Sequence, residues 1–331
     1  MTSVLLVGTG AVGTVAAREL VRTPGIDEVL LAARRPKSVA ALAAVLGRTA
    51  RVSTFRPGEP LPDGVSVVAT AVPSEVDAAV ASAAVDAGVP FVAASDACNT
   101  VDGLFALDGA ATDRGVPLVA GCGVAPGIAD VLARHAASAL DRIDEVHVAR
   151  AGVAGPASET TIRRAVREPA LEWRDGRWHT ERQHGPQLVW FPDPIGARET
   201  TSVGSSVRLL VRALPELRAA SVRMTEPLTR GVRWFRPSVD ERWGAALVTV
   251  WGARGRRCES IVYGVRHNTA AAAGAVLALT ASTLAGAIPA LKPAPVPAGV
   301  RSLAEIVAPV PFLAELASRD VHVSTFEGVG L

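Results

Sequence analysis

Aromatic residues are scarce in this 331-residue chain, at 4%, with a single tyrosine among them. Lysine is scarcer still: Lys37 and Lys292 are the only two, so nearly all positive charge is arginine. Cysteine occurs three times, at Cys98, Cys122 and Cys258, and never as a CxxC pair. That scattered, odd set argues against a disulfide framework or a structural zinc and fits a reducing cytoplasm, where the protein is expected to reside. His135, His147, His179, His184 and His322 show no metal-ligand spacing, so no metal is expected. Basic runs interleaved with aromatics are missing too, which argues against nucleic acid as a partner. The first apolar run has no basic n-region before it and no cleavage site after it, so no secretory leader is expected. Residues 268–289 carry no charge and approach the ~20 residues of a membrane span. They are mostly Ala, Gly and Thr, which insert poorly into lipid, so a helix packed between protein layers is expected and no membrane contact.

What is present is a globular composition, 49% hydrophobic and 20% charged, in a chain long enough for two cores. The net charge of +2 hides an asymmetry: residues 1–150 hold 12 basic against 16 acidic side chains, and the remainder 22 against 16. An arginine-rich second half suits bidentate binding of carboxylates, or is a solvated basic surface.

The first half alternates short Val/Ala-rich runs (3–7, 28–32, 51–55, 65–70, 91–94 and 117–120) with helical patterns (11–22, 37–46, 74–87 and 104–114). Apolar runs with few polar residues fit parallel strands buried on both faces, and the rhythm is that of β-α-β units. Ser74 is a plausible N-cap with acids in the first turn, and Gly88 a stop. From about residue 144 the pattern changes to strands and turns, with a hairpin expected at Asp175-Gly176 and longer strands over 231–236, 245–251 and 257–265. All six tryptophans fall between Trp173 and Trp251. The expected class is α/β: a Rossmann domain over 1–128, a mixed α+β domain for substrate binding and dimerisation over 129–267, and a helical segment over 268–331 returning to the first domain.

Gly8-Thr9-Gly10-Ala11-Val12-Gly13 is a GxGxxG directly after the first strand and opening the first helix, where the pattern signals dinucleotide binding. Gly8 permits the tight turn, Gly10 lets the backbone approach a pyrophosphate, and Gly13 allows close helix–strand packing. The helix N-terminus supplies free N–H groups to the phosphate. About 20 residues on, where an NAD enzyme places an acid, the chain has Ala32-Ala33-Arg34-Arg35. An acid would repel a 2′-phosphate and guanidinium groups would pair with it, so NADP(H) is the expected cofactor.

Further along stand Ala71-Val72-Pro73, then Ala87-Gly88-Val89-Pro90-Phe91-Val92 leading to Ser95-Asp96, then Gly121-Cys122-Gly123-Val124-Ala125-Pro126-Gly127. With the tail Gly299-Val300-Arg301 through Pro311-Phe312-Leu313, this order resembles the saccharopine dehydrogenase family in the broad sense that includes the lysine 6-dehydrogenases. The resemblance runs over residues 3–135 and is faint over 145–265, where substrates are chosen. It implies an NAD(P)-dependent enzyme acting at a carbon–nitrogen bond of an amino acid or amine, and a homodimer. The family's usual acid at the end of the second strand is absent here.

In an open parallel sheet the ligand lies beyond the carboxyl ends of the strands. Ala71, Val72, Pro73 and Gly123 are therefore expected to line the cofactor. Asp96 is a candidate for proton handling or for gripping an ammonium group, or else an N-cap for the segment after it. His267 is a candidate proton donor near neutral pH, or else a capping or surface residue. Arg198, Arg233 and Arg266 are candidates to hold a substrate carboxylate. Cys122 reads as a small close-packing residue, because hydride transfer to an imine needs no covalent intermediate. The expected reaction is NADPH-dependent reduction of an imine. Oxidative deamination, a non-catalytic dinucleotide sensor and a non-redox enzyme are the alternatives.

Overall fold

The computed structural model describes residues 1–34, 36–95, 97–181, 185–204, 207–227, 243–291 and 296–326. The chain alternates strand and helix through its first third: β1 (Ser3–Val7), α1 (Ala11–Arg22), β2 (Glu28–Ala32), α2 (Pro36–Leu46), β3 (Ala50–Val52), β4 (Val65–Thr70), α3 (Ser74–Ala87), β5 (Phe91–Ala93), α4 (Cys98–Phe105), α5 (Asp108–Asp113) and β6 (Pro117–Ala120). These strands form a parallel sheet in the order β3-β2-β1-β4-β5-β6. β1 and β6 are buried along their whole length, the burial expected of strands covered by helices on both faces. Gly88 closes α3 in the left-handed conformation at φ 70°. Ser74, expected as the cap of α3, is instead its first residue, and Pro73 holds the cap position.

The second domain follows: α6 (Ile128–Ala137), β7 (Arg142–Ala151), α7 (Pro156–Ala165), β8 (Ala170–Arg174), β9 (Arg177–Glu181), β10 (Gln187–Phe191), β11 (Gly196–Val203), α8 (Val207–Ala213), β12 (Ala219–Met224), β13 (Trp243–Arg254) and β14 (Arg257–Asn268). The hairpin at Asp175-Gly176 is present, with positive φ at both residues, as a type I′ turn requires. β13 and β14 pair along their full length and β13 lies against β7. Alternation along β13 puts Ala246, Val248 and Val250 into the main core and Leu247, Thr249 and Trp251 on the opposite face. The strand expected at 231–236 lies outside the described residues.

α9 (Thr269–Leu284) is the uncharged helix, and its Ala/Gly composition has a steric cause. A Cβ on Gly274 would meet Val12 O at 2.8 Å and Val15 Cγ1 at 2.7 Å, so α9 lies almost in backbone contact with α1. Among the described residues no helix is long and apolar enough to cross a membrane. The last segment does more than return a helix. β15 (Gly299–Ser302) adds a seventh parallel strand beside β6, α10 (Leu303–Ile306) and α11 (Pro309–Ala317) follow, and β16 (His322–Phe326) pairs with β14. The C-terminal segment therefore belongs to both sheets, which a boundary at residue 268 does not convey.

Candidate dinucleotide and substrate crevice

The glycine turn after β1 is built by close approach. Gly8 has φ 99°, and its N–H donates to the Ala32 carbonyl at 2.7 Å, tying the turn to the end of β2. A Cβ on Gly8 would run into the Ala71 carbonyl and lie 2.9 Å from Val72 Cγ1; one on Gly13 would overlap the Gly8 carbonyl. Gly10 differs: a Cβ there meets nothing within 4 Å. It is the N-cap of α1 and supplies no side-chain cap to the first-turn N–H groups. The Thr14 hydroxyl donates to the Thr9 carbonyl at 3.2 Å, bracing the turn from inside. This cradle fits a pyrophosphate, which needs close backbone approach and free N–H groups. Arg34 is exposed just past the end of β2, where a ribose 2′-substituent would lie. Ala71, Val72 and Pro73 stand beside the turn, and Gly123 faces the Ala94 carbonyl across the rim.

The second domain closes over this rim. A Cβ on Gly155, the N-cap of α7, would lie 3.2 Å from Ala11 Cβ, so the start of α7 faces the start of α1. Beyond it is a cleft of about 420 Å³, lined by the first turns of α3 and α4 on one side and by α7 on the other. Its charged residues are Glu75, Asp102, Arg164 and Glu168. Arg164 reaches across it, 3.7 Å from Glu75 of the Rossmann domain and 2.8 Å from Glu168 on its own side. A second bridge between domains, Arg208 to Asp102, spans 2.6 Å.

His267 is 2% exposed, on the same face of β14 as the core residue Val265. Neither ring nitrogen makes a well-formed hydrogen bond among the described residues. Burial pushes the imidazole down to about 4; the Asn268 backbone opposes that shift and the nearby Arg150 charge adds to it. The ring is therefore neutral at neutral pH. It can accept or donate a hydrogen bond as a neutral ring, but the proton-donor role expected near neutrality does not follow. Arg150, one face-equivalent position along β7, donates to the Ala125 carbonyl at 2.9 Å and so holds the Gly121–Gly127 loop against the second sheet.

The candidate arginines fare differently. Arg266 precedes His267 in the same strand, so it points to the opposite face; it lies 5.4 Å over the Trp243 ring and is 3.5 Å from the Asp193 carbonyl. Arg198 is exposed on the β10–β11 hairpin and donates to the Ala197 carbonyl. Neither meets the crevice. Arg35, Asp96 and Arg233 lie outside the described residues. Cys122 is buried and burial pushes its thiol up, consistent with a small packing residue. Arg150 and Arg164 were missed because nothing local marks them; α7's place against the cleft is a tertiary fact. Among the described residues no group of three or more His, Cys, Asp or Glu could hold a metal.

A GxGxxG turn on a parallel sheet, faced by a mixed-sheet domain across a charged cleft, defines a fold of the saccharopine dehydrogenase type. The structure is similar over 98% of its length to all of saccharopine dehydrogenase (L-Glu forming) from Saccharomyces cerevisiae, with a TM-score of 0.67 and 13% identity. It is similar over 97% of its length to 99% of the C. glutamicum DAP dehydrogenase in complex with DAP, with a TM-score of 0.55 and 15% identity. An engineered D-amino acid dehydrogenase bound to NADP+ is similar over 97% of this chain and 99% of its own, with a TM-score of 0.51 and 15% identity. No family model matches the sequence, and no curated protein matches it.

Proposed function

We propose that this protein is an NADPH-dependent oxidoreductase that reduces the C=N bond of an imine derived from an amino acid or amine. The observation that carries the reading is the rim itself. An open glycine cradle, an arginine at the end of β2 in place of an acid, and a cleft of mixed charge meet along one edge of the parallel sheet. The saccharopine, DAP and D-amino acid dehydrogenases that share the fold act, by their names, on amino acids, and one of them binds NADP+. Bound NADPH supplies the hydride.

The remaining steps belong to the chain. Gly8–Gly13 and the start of α1 hold the pyrophosphate, and Arg34 pairs with the 2′-phosphate. Arg164 is the cleft cation best placed to take a substrate carboxylate, in exchange for one of its present carboxylate partners, Glu75 or Glu168. An ammonium group would find Glu75, Asp102 or Glu168 in the same cleft. Closure of α7 over the rim excludes water and orients the reactants, which supplies most of the rate gain in such a transfer. A homodimer is part of the reading.

Titration with NADPH and NADH, followed by tryptophan fluorescence, tests the cofactor half. NADPH consumption across keto-acid/amine pairs and cyclic imines tests the chemistry. Silence in every pair while NADPH binds tightly would reject the reductase reading and favour a dinucleotide sensor.

A further inference from the structure

Among the described residues Asp77 is the one wholly buried acid at the crevice rim, and nothing above gives it a task. It sits in the first turn of α3 with 0% exposure. Its partners are all hydroxyls. Thr70, at the end of β4, donates to Oδ1 at 2.6 Å. Thr100, in the first turn of α4, lies 3.2 Å from Oδ2. The Thr100 hydroxyl is in turn 2.9 Å from the Ser95 hydroxyl, just beyond the end of β5 and partly exposed. The chain of oxygens therefore runs from a sealed carboxyl to the edge where a reacting C=N group would lie.

We propose that Asp77, Thr100 and Ser95 form a proton relay, in which the state of Asp77 decides whether Ser95 offers the crevice a proton or a lone pair. The inference rests on the C=N reading and adds a proton source to it. With Asp77 protonated, its O–H donates to Thr100, Thr100 donates to Ser95, and Ser95 directs its own proton outward. With Asp77 ionised, every hydroxyl turns inward and Ser95 presents only oxygen. In the reducing direction, hydride arrives at carbon and the C=N π pair moves to nitrogen, which takes the Ser95 proton. Ser95 recovers a proton from Thr100 and Thr100 from Asp77, leaving a carboxylate that solvent reprotonates. Amine oxidation runs the same chain in reverse.

The surroundings keep this carboxyl poised. Burial raises Asp77 to about 7, and the three hydroxyls oppose that rise. Glu75, on the same helix, adds repulsion. Among the described residues the charged groups on the packed elements are Asp102 on α4, which is bridged to Arg208, and Arg164 on α7, which is turned to Glu75 and Glu168. The partners of Asp77 among the described residues are the hydroxyls of Thr70, Thr100 and Ser95, and none is a cation.

Infrared titration of the intact protein reads the relay without turnover. Wild type should show a carboxylic C=O band titrating with a midpoint near 7 that Asp77→Asn removes, with Asp130→Asn assigning the band of Asp130, which burial also raises to about 7. Ser95→Ala should shift that midpoint, because it cuts the chain. With turnover, Asp77→Asn should abolish the inflection of kcat near neutrality and lower kcat about 100-fold. NADPH affinity should stay within about twofold, since Asn preserves both hydroxyl contacts. Ser95→Thr should restore most of what Ser95→Ala loses. An Asp77 ionised throughout pH 5–9, a midpoint indifferent to Ser95→Ala, or an unchanged kcat profile in Asp77→Asn would each overturn the relay. Coupling between Ser95 and Asp77 in a protein that reduces no C=N bond would leave the relay standing and remove the reductase reading. Turnover without coupling would do the reverse.

Discussion

In the Rossmann domain, six consecutive residues make the whole glycine turn, whereas in the second domain Arg150, Arg164 and His267 come from β7, α7 and β14. The two constructions differ in what fixes them. The cradle is set by backbone contact, since Gly8 and Gly13 touch carbonyls where a methyl group would collide. The second wall is set by sheet register: alternation decides that His267 faces inward and Arg266 outward. Backbone contact tolerates no added atom, while register tolerates side-chain exchange and so leaves the substrate wall freer to change.

Gly8→Ala should break the comparison most severely. The methyl meets the Ala71 carbonyl at a residue already at φ 99°, so strain and collision add. We expect a loss of about 3 kcal/mol in stability, read by denaturant unfolding, and no measurable NADPH binding. Gly244→Ala makes the matching change in the second wall, where a methyl would crowd the Ala151 carbonyl at 2.7 Å and His267 Cε1 at 3.1 Å. It should lower kcat while leaving NADPH affinity intact. Equal loss of cofactor binding in both variants would mean the two walls are one unit.

The same contrast explains what was legible in the sequence. β1, α1, β2, β4, α3 and β6 match their expected bounds, because each is a local pattern bounded by Gly, Pro or a charged turn. The pattern over 104–114 predicts one helix, yet α4 begins at Cys98 and α5 is separate; Ala106 and Leu107 interrupt them. β15 and β16 carry no strand signal in the sequence, since Gly-Val-Arg-Ser and His-Val-Ser-Thr-Phe are too short to show a period. Asp77 looked like an ordinary first-turn acid. Only the fold reveals that Thr70, Ser95 and Thr100, each at a strand end or helix start, surround it.

Next in size is a pH effect with opposite signs in the two acid–base families. Asp130, in the first turn of α6, accepts from Gly127 N–H at 3.4 Å and Ser302 Oγ at 3.3 Å, and burial raises it to about 7. The native state then holds a proton that the unfolded chain releases near its ordinary value of 3.8. Stability should fall as pH rises from about 4 to 7 and level off above, by up to about 3 kcal/mol between pH 5 and 8. Asp130→Asn should flatten that part of the curve; Asp77 contributes a slope of the same sign. His267, pushed down, acts oppositely: its contribution is present above pH 6.5 and is lost as pH falls toward 4. Thermal unfolding across pH 4–8 in wild type, Asp130→Asn and His267→Gln separates the two.

Arg34→Ala should raise the Kd for NADPH roughly 10- to 30-fold, about 1.5–2 kcal/mol for a lost charge-assisted pair, and leave that for NADH unchanged. An equal effect on both cofactors would place Arg34 on the pyrophosphate and undo the NADPH preference.

The smallest effect on stability is expected at the seam between the domains. Arg164 and Arg208 each bridge to the Rossmann domain with side chains half exposed to water, 59% and 42%. Exposed pairs contribute about 0–1 kcal/mol, so Arg208→Ala and Arg164→Ala should both unfold within about 1 kcal/mol of wild type. Their kinetics should differ. Arg208 lies outside the cleft lining, whereas Arg164 lies within it among the acids that would hold an amine. Arg208→Ala should change KM and kcat little, and Arg164→Ala should raise KM for a carboxylate-bearing imine about tenfold while sparing an uncharged one. If Arg164→Ala left KM alone, the carboxylate would have to be held elsewhere on the second wall, and Arg150, beside His267 and already holding the Gly121–Gly127 loop, would be the next arginine to replace.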